Sequence, residues 1–209
     1  MELLPVLAAA ASAWLLGGIP FGLVLVRLFR GIDIRTVGSG NVGATNASRA
    51  FEGRLRLPVF LLIYVLDFLK GLTPALWFPA WFGIELATGS WTPVGLGAAA
   101  VAGHCFSPYL RFRGGKGVAT ATGVFAALDP LALLVALLTF LVVLKVTKQV
   151  YLGSLALGLA LAATVVAQDP SAAFGERRPV TVLALVIAAF LFFTHRSNLA
   201  AARARKAST

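Results

Sequence analysis

Cysteine, histidine and charge are all scarce in this 209-residue sequence, which has one Cys and two His. The single Cys105 excludes an intramolecular disulfide and any cysteine-based metal cage. His104 and His195 are too few for a histidine-rich centre, so neither a metal nor another cofactor is expected. Charged residues make up 12% of the chain, against about a quarter in a typical soluble domain. That is too little to cover a soluble surface, which excludes a cytosolic globular enzyme, a disordered chain and a coiled coil. Apolar bulk takes its place: 59% of residues are hydrophobic and the mean hydropathy is +0.89. The composition describes an all-α, polytopic integral membrane protein, read as a single domain over 1–209.

Acidic residues are scarcer than basic ones, 8 against 18, for a net charge of +10. In a soluble protein this excess would suggest a nucleic-acid partner; in a membrane protein it follows from the positive-inside bias of loops, and no nucleic acid is expected. The N-terminal apolar run Leu3–Leu16 resembles a signal peptide but lacks a basic leader, Glu2 being its only early charge. It reads as a retained first span with the N-terminus outside. Spans of about 20 apolar residues are predicted at 4–26, 57–82, 93–108, 116–129, 131–147, 150–168 and 179–194, about seven in all, the third and fourth short enough to be tilted or broken around a buried loop. Asp129-Pro130 is a turn signal between the fourth and fifth. This count places 27–56, 109–115, 145–149 and 195–209 on one side, where, with Lys116 at the membrane edge, 15 of the 18 Lys and Arg residues fall. The basic side, with the C-terminus, is therefore expected to be cytoplasmic.

Three of those segments carry more than charge. Ser39-Gly40-Asn41-Val42-Gly43-Ala44-Thr45-Asn46, followed by Arg49, mixes glycines with small hydroxyl and amide side chains, which lets backbone N–H groups converge on an anion. A helix N-terminus there would add its dipole, and Arg49 a fork of donors; an ordinary polar turn capping the second span has the same composition. Gly114-Gly115-Lys116-Gly117 places a lysine among glycines where an apolar helix begins, the recipe of a phosphate cradle with open amides. It is not a Walker A loop, because the Gly-x4-Gly-Lys-Ser/Thr spacing is absent. Upstream, Cys105 reads as a packed residue and His104 as making a structural hydrogen bond within the loop. His195-Arg196-Ser197-Asn198 sits where the last span meets the basic side; His195 is either a general base or a cap of the helix C-terminus together with Arg196. Asp67 and Lys70, spaced i, i+3 inside the second span, read as an ion pair supporting the site.

Taken together these stretches resemble the three signature motifs of the bacterial acyl-phosphate–glycerol-3-phosphate acyltransferases: Ser39 to Asn46 with Arg49; Gly103-His104 and Gly114-Gly115-Lys116-Gly117-Val118-Ala119-Thr120; and His195-Arg196-x-Asn198. Asp67-x-x-Lys70-Gly71 is similar to a further recurring element of that family. One departure is visible: the family usually has Pro directly after its His-x-Phe, where this chain has Ser107 and then Pro108. The resemblance implies a seven-span enzyme of the bacterial inner membrane, its site facing the cytoplasm, that moves a fatty acyl group from acyl phosphate to the 1-hydroxyl of glycerol 3-phosphate. Lysophosphatidate and inorganic phosphate are the implied products, and a functional link to an acyl-phosphate-producing enzyme follows. By motif, the implied catalytic residues are Lys116, His195, Ser39, Arg49 and Asn198. The implied substrate-binding residues are Asn41, Thr45, Asn46, Gly114, Gly115, Gly117 and His104.

Other classes fit less well. A His-x4-Asp acyltransferase lacks its carboxylate, since Pro108 follows His104 and Leu199 follows His195 at that spacing. A CDP-alcohol phosphotransferase needs clustered aspartates, and Asp33 and Asp67 are isolated; a lipid-phosphate phosphatase needs a Ser-Gly-His loop that is absent. An organic-anion transporter would place its site near the midplane between inverted repeats, whereas the polar motifs here fall on one predicted face and no repeat is present. A purely structural subunit leaves the glycine–lysine motifs without a purpose.

Overall fold

The structure is a computed structural model that describes residues 3–207, with side chains to residue 204. Glu2 and the side chains of Arg205 and Lys206, which enter the sidedness count, lie outside the described residues. All regular structure among the described residues is helical, and the chain divides into two compact units, 1–128 and 129–209.

The first unit holds α1 (Leu3–Gly18), α2 (Phe21–Arg30), α3 (Ala44–Ala47), α4 (Arg56–Leu76), α5 (Phe78–Trp81), α6 (Thr92–Cys105) and α7 (Val118–Leu128). Its main contacts are α1 on α6 and α4 on α7, with α4 also against α6. Glycine sets the closeness of these crossings: a Cβ at Gly17 would strike the Ala100 carbonyl and one at Gly103 the Trp14 carbonyl. Gly71 and Gly123 play the same part between α4 and α7, against the carbonyls of Thr120 and Phe68. Small residues of this kind let apolar helices approach without a hydrophobic drive between them.

The second unit holds α8 (Pro130–Thr147), α9 (Val150–Gln168), α10 (Pro170–Ala173), α11 (Arg178–Thr194) and α12 (Arg196–Ala207). The Asp129-Pro130 turn forms as predicted: Asp129 caps α8 by accepting from Ala132 N–H at 2.9 Å, with Pro130 at the first helical position. Asp169-Pro170 repeats the device before α10. Lys148, in the left-handed conformation, ends α8 and allows α9 to pack back on it. Much of α8 is uncovered by protein, with Leu134, Leu138 and Leu141 each more than half exposed, an apolar face suited to bilayer hydrocarbon.

Each of the seven predicted segments contains a helix, but they are not equally able to cross a bilayer. Leu3–Arg30, Gly53–Leu76, α8 and α9 are long and apolar enough, and α11 with α12 makes a fifth if the pair, bent by 47°, is one crossing. The short third and fourth segments are α6 and α7, of 14 and 11 residues, spanning about 21 and 17 Å against a hydrocarbon core of about 30 Å. The first segment is not the single run 4–26: it breaks at Ile19-Pro20 and continues to Arg30. Pro20 has no N–H to donate, and its ring obstructs the turn before it.

Candidate active site

Asn46 organises the first motif. Only 2% exposed, it accepts from Ser39 N–H at 2.9 Å and donates to the carbonyls of Val37 at 2.8 Å and Ile34 at 3.2 Å. All of its amide is thus used to fold 34–39 over α3. Gly38 and Gly40 turn the chain at φ of 56° and 70°, and a side chain at Gly38 would crowd both Asn46 and the Arg49 guanidinium. Ser39 and Arg49 are exposed above this turn. Asn41 accepts from Gly43 N–H at 2.9 Å, closing the turn into α3, and the Thr45 carbonyl accepts from Ser48 Oγ at 3.1 Å. A helix does begin inside the motif, at Ala44, but α3 has four residues, too short to accumulate the expected macrodipole. Arg49 instead sits on the following 3-10 turn and still borders Gly38 beside Asn46. Beneath the loop lies a core of Val26, Ile34, Val42, Ala47, Phe51 and Ile63, which Leu110 of the second motif joins.

The second motif closes on the end of α6. Gly115 N–H donates to the His104 carbonyl at 2.9 Å and Gly114 N–H to the Cys105 carbonyl at 3.0 Å. The open amides expected at Gly114 and Gly115 are therefore not open; the last carbonyls of α6 need donors and take them. What these glycines contribute is room, since a Cβ at Gly114 would strike the His104 carbonyl and one at Gly115 the His104 ring. Gly117, at φ 84°, starts α7 against Cys105 Sγ. Cys105 is buried and packed, as expected. His104 makes the expected loop hydrogen bond through its carbonyl; its ring Nδ1 has no hydrogen-bond partner among the described residues.

Lys116 is half-buried. Burial first, and the Arg49 cation second, hold its ammonium below the ordinary lysine value. A basic group of the first motif is thus near enough to be felt by the lysine of the second.

Ser107, which stands where the resembled family has Pro, is 1% exposed and donates to the Gly18 carbonyl at 2.6 Å. Lys70 donates to the adjacent Ile19 carbonyl at 2.7 Å and pairs with Asp67 at 2.9 Å, with both side chains buried. The predicted ion pair is present, and together with Ser107 it satisfies carbonyls left open by the α1–α2 break. The break has no counterpart in the spacing of any motif; only Pro20 and the buried Lys70 hint at it.

The third motif belongs to the second unit. His195 ends α11, 2% exposed, with Nδ1 2.8 Å from the Leu191 carbonyl. A carbonyl only accepts, so Nδ1 carries the proton and the lone pair of the neutral ring lies on Nε2. Arg196 donates to the Phe193 carbonyl at 3.0 Å and lies over the Phe193 ring at 4.2 Å. Both residues therefore cap the helix end. Asn198, partly buried, follows on the first turn of α12.

The apolar helices, four of them or up to five long enough to cross a membrane, together with the polar glycine-rich loops between them, define the class of all-α membrane-spanning protein. Residues 7–205 match the family model described as glycerol-3-phosphate acyltransferase. The glycerol-3-phosphate acyltransferases of Anaeromyxobacter dehalogenans and Aquifex aeolicus are 42% and 40% identical to the chain over 189 and 187 residues; each match covers 90% of this chain, and 89% and 90% of the relative. Among solved structures, the glycerol 3-phosphate form of PlsY, an integral membrane glycerol 3-phosphate acyltransferase, matches with a TM-score of 0.80 at 38% identity, over 93% of this chain and 90% of that one. Its lysophosphatidic acid form matches at 0.78 and 36% identity, over 93% and 89%. The chain belongs to the glycerol-3-phosphate acyltransferase (PlsY) family.

Proposed function

We propose that this chain transfers a fatty acyl group from acyl phosphate to the 1-hydroxyl of sn-glycerol 3-phosphate, giving lysophosphatidate and inorganic phosphate. The observation that carries this reading is that Lys116 of the second motif is held below the ordinary lysine value by its burial and by the Arg49 cation of the first motif, which brings two basic groups from separate glycine-rich loops to one neighbourhood. Both substrates carry a phosphate and one an alkyl chain, which suits an anion site in a protein with apolar helices. The solved relatives, in glycerol 3-phosphate and lysophosphatidic acid forms, support the acceptor and the product.

Acyl phosphate is already an activated anhydride, so no covalent enzyme intermediate is required. The acceptor oxygen attacks the acyl carbon, the bond from that carbon to the phosphate oxygen breaks, and phosphate leaves with the electron pair. Lys116, at the entry to α7, stabilises the leaving phosphate; Arg49, Ser39 and Asn198 hold the acceptor phosphate and aim its hydroxyl. The hydroxyl proton goes to His195 or to the substrate's own phosphate; the hydrogen bond from His195 Nδ1 to the Leu191 carbonyl leaves the ring lone pair on Nε2, as the first route requires. Asn41, Thr45 and Gly117 shape the phosphate-binding turns. In this reading 1–209 acts as one acyltransferase domain with seven crossings, N-terminus outside and site facing the cytoplasm of a bacterial inner membrane. The helix in each predicted segment and the 15 basic residues on one predicted side support that topology. An enzyme that makes acyl phosphate would supply the donor.

Purified protein in detergent is given glycerol 3-phosphate with either acyl phosphate or acyl-CoA. Lysophosphatidate and free phosphate are expected with acyl phosphate alone. Product from the CoA ester only overturns the donor, and product from neither returns the chain to the transport reading.

A further inference from the structure

We propose that His104 is a positioning residue of the phosphate loop: its imidazole, set against the buried Asp67–Lys70 pair, is the floor on which Gly115, and through it Lys116, is held. The inference rests on the reading of Lys116 as the group that meets the donor's phosphate. His104 lies in the last turn of α6, 7% exposed. Its carbonyl receives Gly115 N–H at 2.9 Å, while the Nε2 edge of its ring occupies the space a Cβ at Gly115 would need. The same residue therefore grips Gly115 twice, once by a hydrogen bond and once by shape. Lys116 is the next residue, so a shift of the Gly115 backbone moves the point from which the ammonium reaches out.

The ring is held from behind. Its Nδ1 faces Asp67 Oδ1 at 3.8 Å, beyond hydrogen-bond reach, and Asp67 is committed to Lys70 at 2.9 Å. Asp67, Lys70, His104 and Ser107 also border a small cavity of about 10 Å³, about the space of one water. A buried ring nitrogen without a partner costs stability. The imidazole is kept, on this proposal, for its flat edge against Gly115. His104 acts through the loop and does not touch substrate.

The test is a double-mutant cycle in the full-length protein, with His104→Ala and Gly115→Ala made singly and together, and His104→Asn as a smaller polar replacement. Gly115→Ala, whose methyl collides with the ring, is expected to lower kcat/KM for acyl phosphate by about 30-fold or more, with KM for glycerol 3-phosphate within about threefold of wild type. His104→Ala alone is expected to lose about tenfold by loosening the loop. The double variant is expected to recover at least fivefold over Gly115→Ala, because the methyl enters space the ring has left. Losses that multiply overturn the proposal, as does an equal rise in KM for both substrates. Hydrogen exchange at the 114–117 amides provides a readout independent of turnover: faster exchange confined there in His104→Ala and reversed in the double variant supports it, and unchanged exchange overturns it. If neither His104 variant folds, the residue is structural only and the proposal is overturned. A wild-type enzyme that uses acyl-CoA instead refutes the donor assignment, yet the same cycle read with that donor still decides the role of His104.

Discussion

Each unit buries one acid–base cluster, and the two are finished differently. In the second unit Asp129 caps α8, accepts from Gln168 Nε2 with both oxygens at 3.1 and 3.0 Å, and pairs with Arg177, which also reaches the Val165 carbonyl at 3.4 Å. Every oxygen of that carboxylate is used, and the result ties the start of α8 to the end of α9 and the entry to α11. In the first unit Asp67 holds Lys70, Lys70 holds the broken backbone at Ile19, and His104 Nδ1 beside them is left without a hydrogen-bond partner among the described residues. Saturated networks rigidify, whereas partly satisfied ones are costly and persist where another demand keeps them. The difference assigns stability to one cluster and support of the site to the other.

The comparison breaks most easily at Lys116 and His195. Replacing either by Ala is expected to lower turnover on the order of 10²–10³-fold. Lys116→Ala should leave the protein folded, because the side chain is only half-buried and lies outside the core. Near wild-type rates in either variant remove that residue from the mechanism. Asp129→Ala should do the opposite. Breaking a buried pair costs about 3–5 kcal/mol, and with Arg177 28% exposed the lower end, about 3 kcal/mol, is expected; turnover per folded molecule should stay within about twofold. Unfolding midpoints and rates measured on the same preparations separate the two, and a large loss of turnover in folded Asp129→Ala would erase the distinction between the clusters.

A smaller effect concerns pH. A lysine whose value is lowered by burial and Arg49 loses its proton at lower pH than an ordinary lysine, and binding a phosphate requires that proton. Donor kcat/KM is therefore expected to fall on the alkaline side as pH rises through the lowered value. Lys116→Arg, whose charge does not titrate in this range, should move that limb upward. An alkaline limb that stays in place assigns it to another group.

How much of this was legible in advance depends on distance along the chain. Asp67-x-x-Lys70 is readable because helical spacing puts i and i+3 on one face. Asp129 with Arg177, 48 residues apart, is not, since nothing local marks the partnership; Asp129-Pro130 announces only a turn. The break at Ile19-Pro20 is signalled by Gly17-Gly18-x-Pro20 but hidden by hydropathy that stays apolar through it. Lys116 and His195 stand out as polar residues at the ends of apolar runs. The amides of Gly114 and Gly115 mislead for a physical reason: glycine-rich composition shows that a backbone is accessible, while the unmet carbonyls of α6 decide what it binds. Asn46 looks like a ligand by type and serves as a loop hub because three backbone groups surround it.

The smallest expected effect comes from a pair that looks stronger than either cluster. Arg35 grips Asp33 through Nε at 2.9 and 3.1 Å and through its terminal nitrogen at 2.6 Å, and its backbone N–H adds a bond of 2.9 Å. These bonds hold the Asp33 carboxyl at about 2, below its ordinary 3.8. A lowered carboxylate value means stability that is fully present above about 4 and lost as pH falls through about 2. Between pH 5 and 8 this group should therefore contribute no pH dependence. Asp33 and Arg35 are also solvent-exposed, with side chains 31% and 52% accessible, so screening and side-chain entropy leave little net gain. Asn at position 33 can still accept from Arg35 N–H and cap the turn. Asp33→Asn is thus expected to shift the thermal midpoint by no more than about one or two degrees, with no change across pH 5 to 8. A drop as large as that of Asp129→Ala would show that the number of hydrogen bonds, rather than their burial, sets what an ion pair contributes here.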